Sequence, residues 1–82
     1  MIGEDQICEF LSKIIVEEKK ISLQDLKKRV KEHFKDKLTT EDTAISETRP
    51  GEQMIEQRVR NIISHKSFPK SAIYKNETFY LK

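Results

Sequence analysis

One face of a predicted helix over residues 51–66 carries polar side chains that can form several kinds of hydrogen bond. A helix turns by about 100° per residue. At that spacing one stripe collects Gln53, Gln57, Arg60, Asn61 and Ser64. Amides can pair with adenine edges and a guanidinium with guanine, and the stripe holds no carboxylate that would repel phosphate. It predicts a recognition helix that reads the major groove of double-stranded DNA, although a polar surface helix without a ligand can show the same pattern.

The opposite face of this helix is apolar and must be buried. Pro50 and Gly51 break the chain before it, and Glu52 suits the positive N-terminal end of a helix dipole. The apolar positions, at spacings of four, three and one, are Ile55, Val59, Ile62 and Ile63. A helix with one polar and one apolar face needs other elements to cover the apolar one.

Two further helices are predicted before it. Residues 4–18 place apolar side chains at helical spacing, and Ser22 is the expected N-cap of a second helix that runs to about Phe34. The second helix presents a basic face that we expect to contact DNA phosphates, formed by Lys27, Lys28 and Lys31. Arg49, just before Pro50, could reach another phosphate. The alternatives are a solvated lysine face and a surface arginine at a turn.

The link between the second and third predicted helices is the least regular part of the chain. Thr39 or Thr40 could cap a single helical turn through residues 41–44. Leu38 and Ile45 are the expected core anchors of this link. It is long for a helix–helix connection and rich in threonine, serine, aspartate and glutamate, which predicts that part of it is mobile.

After the third predicted helix the pattern changes to that of a β-hairpin. Residues 72–74 and 79–81 read as two short strands, joined by a turn at Asn76, which tolerates positive φ. Strand alternation predicts that Ile73 points inward. Because an isolated hairpin is marginal in water, we expect it to pair with the short β-prone stretch at Ile21.

Three helices followed by a hairpin predict a winged-helix fold, an α+β and mostly α-helical domain spanning residues 1–82. Its core is a three-helix helix-turn-helix unit, and its wing is the C-terminal hairpin. The tip of the wing, Lys75 and Asn76, would lie close to the DNA backbone or minor groove.

Composition limits the other classes of function. The chain has 82 residues and a net charge of +2, with an acidic start and a basic remainder that can polarise its surface. A single cysteine, Cys8, excludes an intrachain disulfide, and we expect a packed thiol. His33 and His65 lack metal-ligand spacing, and no phosphate-binding glycine motif occurs. We therefore predict no catalysis, no metal and no cofactor. No membrane span or signal segment is evident, which predicts a cytoplasmic protein without membrane contact.

Four stretches resemble a known group of domains: LTTED at 38–42, RPGE at 49–52, RVRNIISHK at 58–66 and TFYL at 78–81. The group comprises the winged-helix modules attached to restriction-type endonucleases, notably the N-terminal domain of Mrr-like enzymes. The resemblance covers mainly the C-terminal half of the chain. It implies a winged helix that binds double-stranded DNA or reads its target beside a separate catalytic domain, so the chain could be the N-terminal domain of a larger protein. Such domains usually have glycine after the third helix and in the wing, where this chain has none.

Two alternatives remain open from the residues. A protein-interaction module of the same fold could use the acidic first helix or an apolar hairpin surface to contact a polymerase, a nuclease or a partner subunit. The low net charge and the acids Glu52 and Glu56 favour this reading. RNA binding has only the hairpin aromatics Tyr74, Phe79 and Tyr80 to support it.

Overall fold

The computed structural model describes residues 1–82 as four α-helices, one 3₁₀ turn and a three-stranded sheet. In chain order the elements are α1 (Glu4–Glu18), β1 (Lys20–Ser22), α2 (Leu23–His33), the 3₁₀ turn (Lys35–Lys37), α3 (Thr40–Thr43), α4 (Met54–Ser64), β2 (Ala72–Lys75) and β3 (Thr78–Leu81). The predicted α+β class is confirmed. The short α3 adds a fourth helix to the three predicted long ones, and its N-cap is Thr39, whose hydroxyl accepts the N–H of Asp42.

The C-terminal hairpin is joined to the helices through the strand that precedes α2. The sheet is antiparallel with the order β1-β3-β2, and Ile21 of β1 lies opposite Phe79 of β3. On the other side of β3, Phe79 lies opposite Tyr74 of β2. The predicted pairing of the hairpin with the stretch at Ile21 is therefore confirmed, and a third strand supplies the support that an isolated hairpin lacks.

The prediction that Ile73 points into the core is wrong. Side chains alternate between the two faces of a strand. Ala72 and Phe79 are buried on the inner face, whereas Ile73 lies opposite Tyr80 on the outer face and is 42% exposed. Neighbouring side chains of a strand lie on opposite faces, so a shift of one residue exchanges the buried and the exposed positions. Because Ala72 points inward, Ile73 must point outward.

Helices α1, α2 and α4 enclose one apolar core, which the sheet closes with Phe79. On α4 the fully buried side chains are Ile55, Val59 and Ile62, as their spacing predicts. Ile63 lies at the edge of the core and is only partly buried. Because three positions of α4 are fixed in the core, the rotation of the helix is set and its polar stripe faces away from the core.

Helix α4 is shorter than the predicted helix over residues 51–66. It begins at Met54 because the residues before it bond to the link that follows α3. The Ser46 N–H donates to the Glu52 carbonyl oxygen at 2.8 Å, and the Met54 N–H donates to the Ala44 carbonyl oxygen at 2.7 Å. These bonds hold residues 52–54 against the link in an extended conformation, as the bridge between Ile45 and Gln53 shows. The residues before Met54 therefore do not form helical turns.

The same bridge overturns the prediction that Ile45 is a core anchor. Neighbouring side chains of an extended segment point in opposite directions, and Ser46 is the buried one. Ile45 pairs with Gln53 through the backbone, and its side chain is 61% exposed. Leu38, the other predicted anchor, packs against the core and is partly buried.

Three chain reversals use left-handed backbone conformations without glycine, the residue that adopts them most easily, and the first is at Lys19 (φ 72°), which ends α1. Lys66 (φ 52°) follows α4, and the N–H of the next residue donates to the Ile62 carbonyl oxygen at 2.9 Å. Asn76 (φ 51°) and Glu77 (φ 56°) form the two-residue turn of the hairpin, which confirms the turn predicted at Asn76. The Leu23 N–H donates to the Glu77 carbonyl oxygen at 2.9 Å, so the turn is tied to the start of α2.

A buried ion pair connects α3 to α4. The Asp42 carboxylate is fully buried and accepts a hydrogen bond from Nη1 of Arg58 at 2.6 Å. The same nitrogen donates to the Ile2 carbonyl oxygen at 2.8 Å. Burial alone would raise the pKa of Asp42, but hydrogen bonds from Thr39 and Arg58 and the charge of Arg58 outweigh it, so this pKa is below its ordinary value. The pair fixes the N-terminal segment, α3 and α4 relative to one another.

Replacing Asp42 with asparagine tests this anchor. Removing one member of a buried ion pair leaves the other charge unpaired, which costs about 3–5 kcal/mol. We expect Asp42→Asn to lower the free energy of unfolding by about 3 kcal/mol in urea denaturation followed by circular dichroism. The matched control is Glu41→Gln, an exposed carboxylate one residue away, which should change it by less than about 0.5 kcal/mol. Equal effects of the two changes would contradict a structural role for the pair.

Candidate nucleic-acid interface

The polar stripe of α4 lies on the face turned away from the core. Ser64 is exposed, and the other four side chains are half-buried: Gln53, Gln57, Arg60 and Asn61. Gln53 is the N-cap of α4, and its N–H donates to Oε1 of Glu56 at 3.0 Å. It therefore belongs to the start of the helix, whereas the remaining stripe residues project from the helix itself.

Gln57 is partly committed to a contact within the protein. The buried hydroxyl of Ser46 donates a hydrogen bond to Oε1 of Gln57. This bond turns the amide oxygen toward the link after α3 and leaves the NH₂ group as a donor. While the bond persists, Gln57 cannot pair with adenine through both its oxygen and its nitrogen, as the sequence reading assumed.

A cluster of charged side chains, the Glu52 cluster, lies beside the stripe and consists of Glu52, Lys27, Arg49 and Arg60. The Glu52 carboxylate accepts hydrogen bonds from Lys27 and from Nη2 of Arg60, the latter at 3.3 Å. Nε of Arg49 lies 3.9 Å from the other carboxylate oxygen. Partial burial alone would raise the pKa of Glu52, but the hydrogen bonds and charges of Lys27 and Arg60 outweigh it and lower this pKa. One carboxylate thus serves three cations.

The prediction that Lys27 contacts a DNA phosphate is wrong. Its side chain is only 4% exposed, because its ammonium group is inserted toward Glu52. One turn further along α2, Lys31 is half-buried, with its ammonium nitrogen 3.6 Å from a carboxylate oxygen of Glu56. Of the three lysines predicted to bind phosphate, Lys28 is the one that is exposed and makes no ion pair.

The Glu52 cluster lines a shallow hollow of about 500 Å³ between α2, α4 and the segment before α4. None of its lining residues has a large apolar side chain, and they include three cations (Lys27, Arg49, Arg60) and two carboxylates (Glu52, Glu56). The hollow therefore carries a small excess of positive charge. A phosphate oxygen could enter it, although it would share the arginines with Glu52.

The hairpin lies close to this hollow. Partial burial and the charge of Glu77 raise the pKa of the Tyr74 hydroxyl, and the charge of Arg60 opposes the increase. The predicted tip residues, Lys75 and Asn76, are both exposed. The bond from the Leu23 N–H to the Glu77 carbonyl oxygen holds the turn beside the start of α2, and Gln24, the next residue of α2, lines the hollow.

The ion pairs of Glu52 with Lys27 and of Glu56 with Lys31 are not among the contacts predicted from the sequence. A signal for them was present, because Glu52 and Glu56 are four residues apart on one helix and Lys27 and Lys31 are four apart on another. Matching spacings of opposite charge on two adjacent helices allow two ion pairs to form in register. Ser46 had no such signal, since only the bridge between its segment and the start of α4 turns it inward.

Polar side chains also connect the start of α1 to the end of α4. Glu4 accepts a hydrogen bond from the Ser67 hydroxyl at 2.7 Å and lies 2.8 Å from Nδ1 of His65, the C-cap of α4. Burial raises the pKa of the partly buried Cys8 thiol. No group of three or more histidine, cysteine, aspartate or glutamate side chains could hold a metal ion, and no helix is both long and apolar enough to cross a membrane.

Two lysines that are adjacent in sequence provide a matched test of the corrected assignment. Lys27→Gln removes the buried ammonium that neutralises Glu52, so we expect the free energy of unfolding to fall by about 2 kcal/mol. Lys28→Gln removes an exposed charge and should change it by less than about 0.5 kcal/mol. Urea denaturation of both variants measures the difference. Two equally stable variants would mean that Lys27 contributes no more to the fold than its exposed neighbour.

Acid should destabilise the domain through its paired carboxylates. The pKa values of Glu4, Asp42 and Glu52 are lower in the folded state, so the unfolded state binds more protons in acid. The stabilisation is present above the ordinary carboxyl pKa of about 4 and is lost as pH falls through the lower folded values. Melting temperatures should be nearly constant from neutral pH to about pH 5 and then decrease.

Glu52→Gln identifies the contribution of the Glu52 cluster to this decrease. The variant should be less stable than the unmodified protein at neutral pH, and the two curves should converge in acid, where Glu52 is protonated. Glu17→Gln, an exposed position without an ion pair, is the control and should follow the unmodified protein throughout. If the Glu52→Gln curve stayed parallel to the unmodified curve, the folded pKa of Glu52 would not be lowered.

Comparison with known proteins adds no identification. No family profile, curated protein or solved structure matches the chain. The resemblance to winged-helix modules of restriction-type endonucleases therefore stays a prediction.

Proposed function

We propose that this domain is a winged helix that binds double-stranded DNA, with α4 in the major groove and the β2–β3 hairpin as the wing. The observation that carries the proposal is the position of the acid-free stripe of α4 beside a polar hollow in which cations outnumber carboxylates. Amide, guanidinium and hydroxyl groups on one helix face suit base edges, and neighbouring cations suit phosphates.

The order of the elements supports the winged-helix assignment. A helix, a short strand, two further long helices and a hairpin follow one another, and the short strand pairs with the hairpin. The left-handed residues Lys66, Asn76 and Glu77 lie at the end of α4 and in the hairpin turn. The domains that this chain resembles usually have glycine near these two places, so the backbone retains the conformations that glycine would favour.

The side chains divide into two roles under this proposal. Arg60, Asn61 and Ser64 face base edges, with Gln57 as a single donor through its NH₂ group. The phosphate contacts come from exposed cations around the helix: Lys28, Arg49 and Lys75. Lys27 takes no part in binding and instead holds Glu52 in place.

Glu52 limits how strongly Arg60 can bind. A guanine edge or a phosphate must share the Arg60 guanidinium with the Glu52 carboxylate, which already accepts from Nη2. The free energy gained when Arg60 binds DNA is therefore reduced by the loss of its ion pair with Glu52. We infer modest affinity for a single domain and specificity that depends on neighbouring contacts. The proposed place of the domain beside a nuclease, in a restriction or DNA-processing system, rests on the sequence resemblance alone.

Fluorescence anisotropy with a labelled random-sequence duplex tests DNA binding. Three phosphate contacts predict a slope of about −2.7 in a plot of log affinity against log salt, from about 0.9 per phosphate. Lys28→Gln should reduce the steepness of the slope by about 0.9, because it removes one contact. Lys13→Gln, an exposed lysine on α1, is the matched control and should leave both slope and affinity unchanged.

Arg60→Gln tests the reading helix itself. It should weaken binding more than Lys28→Gln does and change the preference among duplexes of different sequence, because base contacts carry the specificity. Circular dichroism establishes that the variant is folded. An absence of binding by the unmodified domain at low salt, or a slope unaffected by Lys28→Gln, would contradict the proposal.

A further inference from the structure

A groove of about 540 Å³ lies on the side of α4 that faces α3, apart from the Glu52 cluster. Its apolar wall is formed by Met1, Ala44, Ile45 and Met54. Its rim carries Glu41 and Glu47, and Arg58 lines it as well. No part of the DNA-binding proposal uses these apolar or acidic side chains.

The groove concentrates exposed apolar surface. Four large hydrophobic side chains of the protein are exposed, and two of them line this groove, namely Met1 (68% exposed) and Ile45 (61% exposed). Exposed apolar side chains gathered in one concave place are typical of a binding surface, whereas isolated ones are ordinary. Methionine adapts its shape to different apolar partners, and Met1 and Met54 both border the groove.

The fold itself keeps Ile45 at the surface. The backbone bridge between Ile45 and Gln53 fixes an extended segment, and the neighbouring Ser46 is buried and bonded to Gln57. Turning Ile45 inward would move Ser46 out and break both contacts. The exposed isoleucine is therefore a fixed part of the surface.

The charge of the groove is negative although the whole chain is positive. Glu41 and Glu47 are exposed and form no ion pair. Arg58, the one cationic side chain of the lining, is neutralised by the buried carboxylate of Asp42, so the two free carboxylates exceed the single positive charge of the amino terminus at Met1. A phosphate backbone would be repelled here, and a partner with apolar side chains next to lysine or arginine would be attracted.

We propose that this groove docks a segment of a partner protein that presents apolar side chains flanked by lysine or arginine. The apolar side chains pack against Met1, Ile45 and Met54, and the basic residues pair with Glu41 and Glu47. The site shares none of the proposed phosphate contacts, and Gln57 is the one proposed base contact that also lines it. It gives the domain a second surface through which another chain can be attached.

Selection from a phage-displayed library of random peptides of about twelve residues provides the probe. The expected peptides combine two or more apolar residues with lysine or arginine. Their affinity for the protein, measured by fluorescence anisotropy of the synthetic peptide, should fall at least about tenfold in Ile45→Ser. It should also fall in the double variant Glu41→Gln/Glu47→Gln and become less sensitive to salt. The matched controls, Ile73→Ser and Glu17→Gln, change an exposed isoleucine and an exposed glutamate outside the groove and should bind as the unmodified protein does.

Three results would overturn the proposal. The selection could yield no binding peptide, or its peptides could bind Ile45→Ser as tightly as the unmodified protein. In a third case, analytical ultracentrifugation could detect self-association that Ile45→Ser abolishes, which would make the groove an interface between two copies of this chain. Circular dichroism controls for folding. Duplex affinity, measured in parallel, separates failure of this proposal from failure of DNA binding, because Ile45→Ser leaves every proposed phosphate contact in place.

Discussion

The guanidinium of Arg58 holds together three segments that are distant in sequence. It donates to the buried carboxylate of Asp42 at 2.6 Å and to the carbonyl oxygen of Ile2 at 2.8 Å. The link between α2 and α4 contributes little apolar surface to the core, so hydrophobic burial alone would not fix its position. The buried pair, together with the hydrogen bond between Ser46 and Gln57, supplies this constraint. The position of the link in turn determines where α4 begins.

Most of the charged side chains around the stripe of α4 are likewise paired within the protein. Lys27 and Lys31 lie in register with Glu52 and Glu56, so two lysines of α2 serve the packing of two helices. The cations that remain for a polyanion lie around the edge of this region, on exposed positions of α2, the segment before α4 and the hairpin tip. A basic helix face in a sequence therefore overstates the charge that is available to a ligand. The long-range attraction of a polyanion depends on the cations that no carboxylate pairs with, and these are fewer than the cations in the sequence.

Sequence patterns predicted the structure correctly where apolar side chains recur at a regular spacing or where a residue has a strong backbone preference. The buried positions Ile55, Val59 and Ile62, the third strand at Ile21 and the turn at Asn76 followed from spacing and local backbone preference. Periodicity failed for isolated apolar residues in extended segments. Such residues have no partner at helical spacing, and a shift of one position reverses the face to which a side chain points. The sequence therefore predicts core positions for Ile45 and Ile73, and both side chains are exposed.

The sequence by itself determined the α+β class, the three long helices, the hairpin and the acid-free stripe on α4, because each depends on residues close together in the chain. Only the tertiary structure decided which polar groups are free to act. Whether Lys27 faces solvent or Glu52 depends on the approach of two helices, and whether Gln57 keeps its oxygen free depends on a serine eleven residues away. Ion pairs and hydrogen bonds act over a few ångströms, so they depend on the final packing of elements that local sequence patterns leave undetermined.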